Sequence, residues 1–333
     1  MNRLAVLIPL VLACSSPLKS KAPDGGSPGV GATESGGDMA AGGATDAGGS
    51  SSAAGGAVGS GGTYGGMGGA NAGSGGASSD ASEVPSGTFL SVSVGDTFAC
   101  GVRTDHTLSC WGDNTNGQST PPAGAFASVS AGLQFACGIK TDSSIACWGN
   151  SLGGETTPPT GAFGSVSAGV ENACGIKPDG TVACWPSLSP PDGSFIAVSV
   201  SGSCACGMKT DETLACWGFP CAPPTGAFAS ISAGDGGACG VEMDGTVVCW
   251  GLLESPSTRT SFASVSVGNM YICGVKTDGT IACWGDTYGA PDTPPPAGTF
   301  TSVSVGYRFA CGVKTDGTIA CWDVPQAPVN CCF

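Results

Sequence analysis

The sequence predicts an all-β fold assembled from seven copies of one short unit. Three observations carry that prediction. A cysteine recurs seven times with a second cysteine ten positions later and a Trp directly after it; a Phe opens each copy; and a Thr-Asp-Gly-Thr type turn separates two strand-like runs. All seven Trp of the chain sit at this one place, at 111, 148, 185, 217, 250, 284 and 322. A fixed period of 32–38 residues is the mark of a repeat architecture, in which each unit buries its apolar faces against its neighbours.

Each unit reads as β from its own residues. The opening run, Phe262-Ala263-Ser264-Val265-Ser266-Val267 in the clearest copy, alternates as a strand does. Two runs of β-branched and small residues then flank Thr277-Asp278-Gly279-Thr280, a strong hairpin signal. With Thr277 to Gly279 as a three-residue loop and Gly279 left-handed, Lys276 pairs with Thr280, Val275 faces Ile281 and Cys273 faces Cys283. Directly opposed Cβ atoms lie about 4.5–5.5 Å apart, so slight closing brings the sulfurs within bonding range. The same spacing predicts Cys100–Cys110, Cys137–Cys147, Cys174–Cys184, Cys206–Cys216, Cys239–Cys249, Cys273–Cys283 and Cys311–Cys321. Each staple closes a small loop worth about 2–3 kcal/mol. Cys204 and Cys221 both fall in the fourth unit and offer a second bridge there. Cys331 and Cys332 are placed to bond each other or to tie down the chain after the last unit.

After Trp-Gly each unit continues into a variable, proline-bearing stretch (Pro121-Pro122, Pro158-Pro159, Pro223-Pro224). Proline cannot donate to a ladder, so this stretch is an outer edge strand or a crossing. Three good strands per unit, seven times over, describe a seven-bladed β-propeller with short blades, over residues 86–333. A blade is covered on both sides by its neighbours, which accounts for strands that alternate Ser, Gly and Ala with Val, Ile and Cys and carry few charges.

The N-terminal part differs. Residues 1–13 have a short positive start (Asn2, Arg3) and a ten-residue apolar run from Leu4 to Ala13, too short for a bilayer span but suited to a signal-peptide core. The run ends Val11-Leu12-Ala13-Cys14, which resembles the bacterial lipobox; the resemblance implies lipidation of Cys14 and, with Ser15 following, an outer-membrane lipoprotein of the cell envelope. Residues 14–85 hold 22 Gly between Gly25 and Gly76 and one aromatic, Tyr64. Such a segment cannot bury enough apolar surface to offset the entropy of ordering it. It is expected to be a disordered Gly/Ser/Ala linker, a tether of about 45 Å root-mean-square span.

The repeated unit resembles the regulator-of-chromosome-condensation repeat. The matching residues are the Val-Gly, Cys-Gly-Val, Asp-Gly-Thr and Cys-Trp-Gly elements, with Trp111-Gly112-Asp113-Asn114-Thr115-Asn116-Gly117-Gln118 in the first copy. The resemblance covers residues 86 to about 325 and implies a seven-bladed propeller, although these units are shorter than the family's. Nucleotide exchange on a nuclear GTPase and chromatin binding, known in that family, do not suit an acidic exported chain, and fold alone does not carry function.

Bulk composition narrows the function. The net charge is −14, from 11 Lys+Arg against 25 Asp+Glu, so no basic stripe awaits phosphates and no nucleic-acid partner is expected. Nineteen Cys in no metal-binding spacing favour an oxidising compartment. The one His, His106, lies in a hairpin turn without the partners catalysis needs. The seven turn Asp residues are explained by local hydrogen bonds. Asp113 to Gly117 resembles a calcium loop but lacks its distal Glu. No cofactor, metal or catalytic residue is expected.

Copies differ most in the loop after the first strand (Asp96-Thr97, Leu133-Gln134, Asn269-Met270-Tyr271, Tyr307-Arg308-Phe309), whereas the hairpin turns stay alike. In a blade these emerge on opposite sides of the disc. Asn269, Tyr271, Tyr307 and Arg308 are therefore the candidate contacts of a binding face. The expected function is an envelope-anchored interaction module, held by its lipid, that grips a protein or glycan through one propeller face. The alternatives are a polysaccharide-acting propeller enzyme, which would need clustered carboxylates around the channel, and a structural envelope protein without a specific ligand.

Overall fold

The computed structural model describes residues 84–323, apart from 152, 203, 219–221, 258–259 and 287–293. The signal segment, Cys14, the tether up to residue 83, Cys221, Cys331 and Cys332 lie outside the described residues.

Seven three-stranded antiparallel sheets form the seven blades of an all-β propeller. Each blade takes its three strands consecutively from the chain: in blade 1 these are Phe89–Val94, Phe98–Arg103 and Leu108–Gly112, and in blade 6 Phe262–Val267, Tyr271–Lys276 and Ile281–Gly285. The first strands of successive blades touch one another all the way round, including blade 7 against blade 1, so the first strand is innermost and the wheel is closed. The sequence left the proline-bearing stretch open between an edge strand and a crossing. Among the described residues it is a crossing, because every sheet stops at three strands.

The hairpin register follows from turn parity. Cys273 pairs with Cys283 and Val275 with Ile281. Lys276 donates its amide to Thr280 at 2.8 Å, and Gly279 sits at φ +84°. Three copies carry a side chain at this left-handed position: His106, Ser143 and Glu212, each at φ 68°. All seven expected within-hairpin disulfides are present, with S–S distances of 2.04–2.07 Å and Cα–Cα separations of 4.0 Å. These seven bridges all lie within blades, so none of them joins one blade to the next.

The core lies between blades. The first Cys, the hairpin aliphatics and the second-strand aromatic of one blade pack on the Phe, Val and Trp of the next. Cys137, Ile139 and Phe135 meet Phe163, Val166 and Trp185, and across the closing seam Cys311, Val313 and Phe309 meet Val92, Val94 and Trp111. Each fully buried Phe or Val contributes about 1.5–3 kcal/mol. Within a blade the opening Phe folds back over the Gly of Cys-Gly, where an added Cβ would stand 2.5–2.7 Å from the ring, as for Phe262 on Gly274 and Phe89 on Gly101. The same Phe meets the blade's Trp edge to face, with centroids 6.1–6.4 Å apart in blades 1 to 5. The repeated Phe, Gly and Trp are thus one packing unit.

Two rings of seven hydrogen bonds join blade to blade. An innermost strand exposes half its amides on a free edge, which must find partners once buried. In every blade one such amide donates to a serine of the preceding blade: Ala131 to Ser93 Oγ, Ala168 to Ser130, Val200 to Ser167, Ala233 to Ser199, Val267 to Ser232, Val305 to Ser266 and Val94 to Ser304, over 2.6–3.0 Å. Near the opposite rim the amide of each opening Phe donates to the left-handed turn residue of the preceding blade, as Phe300 to Gly279 and Phe126 to His106. Phe89 closes this second ring on Gly317 at 2.8 Å. Blade 7 meets blade 1 by these bonds and by packing, without exchanging a strand among the described residues.

Candidate binding face

The two rims of the wheel are chemically unlike. The hairpin-turn rim is nearly the same in every blade. In six of the seven turns the Asp carboxylate accepts a hydrogen bond from the hydroxyl of the residue two positions on, a Thr or Ser, and in all seven from that residue's amide. Those bonds hold the carboxyls of Asp105, Asp142, Asp179, Asp211, Asp244, Asp278 and Asp316 below their ordinary range. All seven are spent on closing their own turns.

The opposite rim carries the loops between first and second strands and the exits of the third strands, and no two of these first loops share a sequence. Arg308 is exposed, and Asn269 and Tyr307 are half-buried. Tyr271 corrects the expectation: it is 4% exposed, opens the second strand of blade 6 and packs in the core between blades 6 and 7, so its ring is no surface contact. The loop before it has only three residues, Gly268, Asn269 and Met270, and the next position already faces the neighbouring blade. Phe98, Phe135 and Phe309 occupy the same buried place in their copies.

Where blade 7 meets blade 1, the Arg308 charge faces Asp96. Burial raises the Asp96 carboxyl, more than the nearby Arg308 lowers it, and Asp113 adds to the rise. Asp113 itself is ionised more easily than usual. Burial opposes this, but hydrogen bonds from Thr115 and Gln118 outweigh it. Its Oδ1 takes the Thr115 amide and hydroxyl and its Oδ2 takes Gln118 Nε2 at 2.9 Å. The calcium-like loop is therefore an Asp-capped turn with its carboxylate engaged. Among the described residues no group of three or more His, Cys, Asp or Glu is arranged to hold a metal ion. His106 is a turn residue whose Nδ1 lies 3.1 Å from the carbonyl oxygen of Phe126.

Sequence reasoning missed one feature of this rim. At the boundary of blades 5 and 6 a cavity of about 420 Å³ opens beside Leu252, Leu253, Met270 and Trp284. Crossing length does not mark it in the sequence: Trp250 and Phe262 stand 12 positions apart, against 15 for Trp111 and Phe126, but Trp185 and Phe195 stand only 10 apart and Trp217 and Phe228 only 11.

Residues 89–118 match the family model of the regulator of chromosome condensation (RCC1) repeat. Solved structures share the fold. The ectodomain of the Physcomitrella patens receptor kinase CR4 is 25% identical, with a TM-score of 0.62, over 68% of this chain and 70% of that one. The CRINKLY WD40 ectodomain of the Arabidopsis thaliana receptor kinase ACR4 is 28% identical, with a TM-score of 0.60, over 69% of this chain and 92% of that one. Prp20p of Saccharomyces cerevisiae, described with its binding to Gsp1p and histones, is 12% identical with a TM-score of 0.57, over 72% and 83%. No curated protein matches the chain in sequence.

Proposed function

We propose that the chain is an envelope-anchored lipoprotein whose propeller holds a partner protein on its variable rim. The observation that carries this reading is the contrast between rims. One repeats the same self-satisfied turn seven times, whereas the other changes from blade to blade and presents an exposed Arg308 with half-buried Tyr307 and Asn269. A rigid wheel with side chains varied on one rim is suited to recognition, and Tyr and Arg are favoured at protein contacts. Prp20p, a propeller of the same architecture, binds proteins, which supports a protein over a glycan as partner.

Seven within-hairpin disulfides support an oxidising compartment. With the lipobox-like Val11-Leu12-Ala13-Cys14, that favours export and lipid attachment at Cys14, with the tether of residues 14–85 holding the propeller off the membrane. The proposed site is an interaction surface without catalysis or cofactor.

Two experiments test the reading. Labelled palmitate should enter the wild-type chain and be absent from Cys14→Ala; labelling that survives this change refutes the anchor. A photo-crosslinking residue at position 308, on the variable rim, should yield a discrete protein adduct in intact cells, whereas one at position 278, on the constant rim, should not. Adducts from both rims alike, or from neither, would overturn the binding-face reading.

A further inference from the structure

Where blade 7 closes on blade 1, two loops of one design lie side by side. Each leads from the glycine after the first strand to the Phe that opens the second, and the same bond closes both. Gly95 donates its amide to the Phe98 carbonyl at 2.8 Å, and Gly306 donates to the Phe309 carbonyl at 2.9 Å. A Cβ placed on Gly306 would stand 2.2 Å from the Gly95 carbonyl oxygen, so the loops touch. One loop contributes Asp96 and the other Arg308. Their charges feel one another, yet among the described residues neither side chain makes a hydrogen bond or an ion pair. Asp96 Oδ1 is buried without a donor, and Arg308 stands exposed with its guanidinium N–H groups unused. Asp113, the other carboxylate nearby, is taken up by Thr115 and Gln118. A partly buried carboxylate without a donor is costly to ionise, and burial accordingly raises the Asp96 carboxyl. The seam thus sets an acceptor lacking a donor beside a donor lacking an acceptor.

We infer that Asp96 and Arg308 together form a carboxamide site on the variable rim, and that it takes a Gln or Asn side chain of a partner protein. The inference rests on the binding-face reading and gives the partner a chemistry. A primary carboxamide carries both missing functions: its C=O accepts from the Arg308 guanidinium and its NH2 donates to the Asp96 carboxylate. A Glu or Asp side chain satisfies Arg308 but meets Asp96 with like charge. A Lys satisfies Asp96 but meets Arg308 with like charge. An apolar side chain satisfies neither and leaves both groups without a partner, which such a site rejects. Arg308 is therefore the anchor and Asp96 the discriminator. The titratable groups around Asp96 are Arg308 and Tyr307 on the neighbouring loop and Asp113 on its own blade. The ionised form of Asp96 is the one that accepts from a carboxamide, so affinity falls as pH falls and this carboxyl takes up its proton.

The test uses the full-length protein with its disulfides intact and its arginines labelled with nitrogen-15; the Arg308 Nε resonance is assigned through Arg308→Lys. Acetylated and amidated tripeptides, Ala-Gln-Ala, Ala-Glu-Ala, Ala-Lys-Ala and Ala-Met-Ala, serve as probes. The Gln peptide should shift the Arg308 resonance and bind about tenfold more tightly than the Glu peptide, the scale of one charge-assisted hydrogen bond exchanged for a like-charge contact. Asp96→Asn supplies a donor where the carboxylate stood, so it should reverse the order in favour of the Glu peptide, which a merely structural Asp96 would not do. Affinity for the Gln peptide should fall on acidification in the wild type and stay flat in Asp96→Asn. Folding of each variant is checked by the unchanged resonance of Arg103, which donates to the Ser86 carbonyl. The inference is overturned if no peptide moves the Arg308 resonance, if Gln and Glu peptides bind equally, or if Asp96→Asn leaves their order as it was. A photo-crosslinking residue at position 171, exposed on the matching loop of blade 3, reads the face independently. An adduct there with a silent Arg308 resonance would refute the carboxamide site and leave the binding face standing. Peptide binding without an adduct from position 171 or 308 would refute the protein partner on that face instead.

Discussion

Replacing Ser304 by Ala probes how the wheel closes. Ser304 Oγ accepts the Val94 amide at 2.9 Å across the seam between blade 7 and blade 1, and both residues are fully buried. Alanine fits the space, so the change removes the bond and leaves a buried edge amide without a partner, which costs about 1–3 kcal/mol. For a domain of this size, each kcal/mol moves the melting midpoint by roughly 2–4 °C, giving a fall of about 2–12 °C. Thermal unfolding followed by circular dichroism, with disulfides kept oxidised, reads this directly. Ser130→Ala, in the middle of the chain, should cost the same, because its bond to the Ala168 amide is also 2.9 Å and also buried. Ser86→Ala, on an exposed residue that uses only its backbone carbonyl, should change nothing. Were the blades stacked in an open arc, Ser304→Ala would be silent while Ser130→Ala still destabilised. That pair of results would refute the closed wheel.

Three further outcomes follow from the same structure. Glu212 holds φ 68° where other copies use Gly, so Glu212→Gly should raise stability by about 0.5–1 kcal/mol, and Gly279→Ala should lower it, both read as shifts in melting midpoint. The seven turn carboxyls are depressed in the fold, so the stability they add is present above their unfolded pKa of about 3.9 and is lost as pH falls through their lower folded values. Melting midpoints should therefore drop below about pH 4, and flat midpoints down to pH 2 would contradict the assignment. Asp96 has the opposite sign: burial raises its carboxyl, so its charge costs stability at neutral pH and protonation relieves that cost. Asp96→Asn should raise the melting midpoint at pH 7, and the gain should shrink as pH falls and the wild-type group takes up its proton.

Most of the blade was legible in the sequence because its determinants are local. A three-residue turn fixes parity, parity fixes which side chains oppose one another, and Cys273 therefore had to face Cys283. The radial arrangement was harder to read. The alternation put Ser and Val on opposite sides of the first strand, but only the packed wheel shows that Ser266 accepts the Val305 amide 39 positions away. The outer limit of each blade was ambiguous for a similar reason. Proline forbids a central strand, yet it permits either an edge strand or a crossing, and packing against the neighbour decides between them.

The candidate face was read less well. Tyr271 looked like a contact because it lies in a variable loop, yet aromatics at the matching positions in three other copies, Phe98, Phe135 and Phe309, already marked that place as core. Aligning the copies by position, instead of asking which residues vary, would have assigned it to the interior. The cavity beside Trp284 gave no distinctive signal, because two other crossings are shorter than the one beside it and its apolar wall joins residues from two blades, Leu252 and Leu253 from one and Met270 and Trp284 from the other.

Non-reducing peptide mass mapping of the protein purified from a bacterial envelope bears most directly on the account, because export, hairpin register and blade count are all written in the cysteines. The account predicts seven linked peptides that each join positions ten apart, from Cys100–Cys110 to Cys311–Cys321, and a lipid-modified peptide that begins at Cys14. Free thiols at these positions, or bonds that join one blade to another, would contradict it.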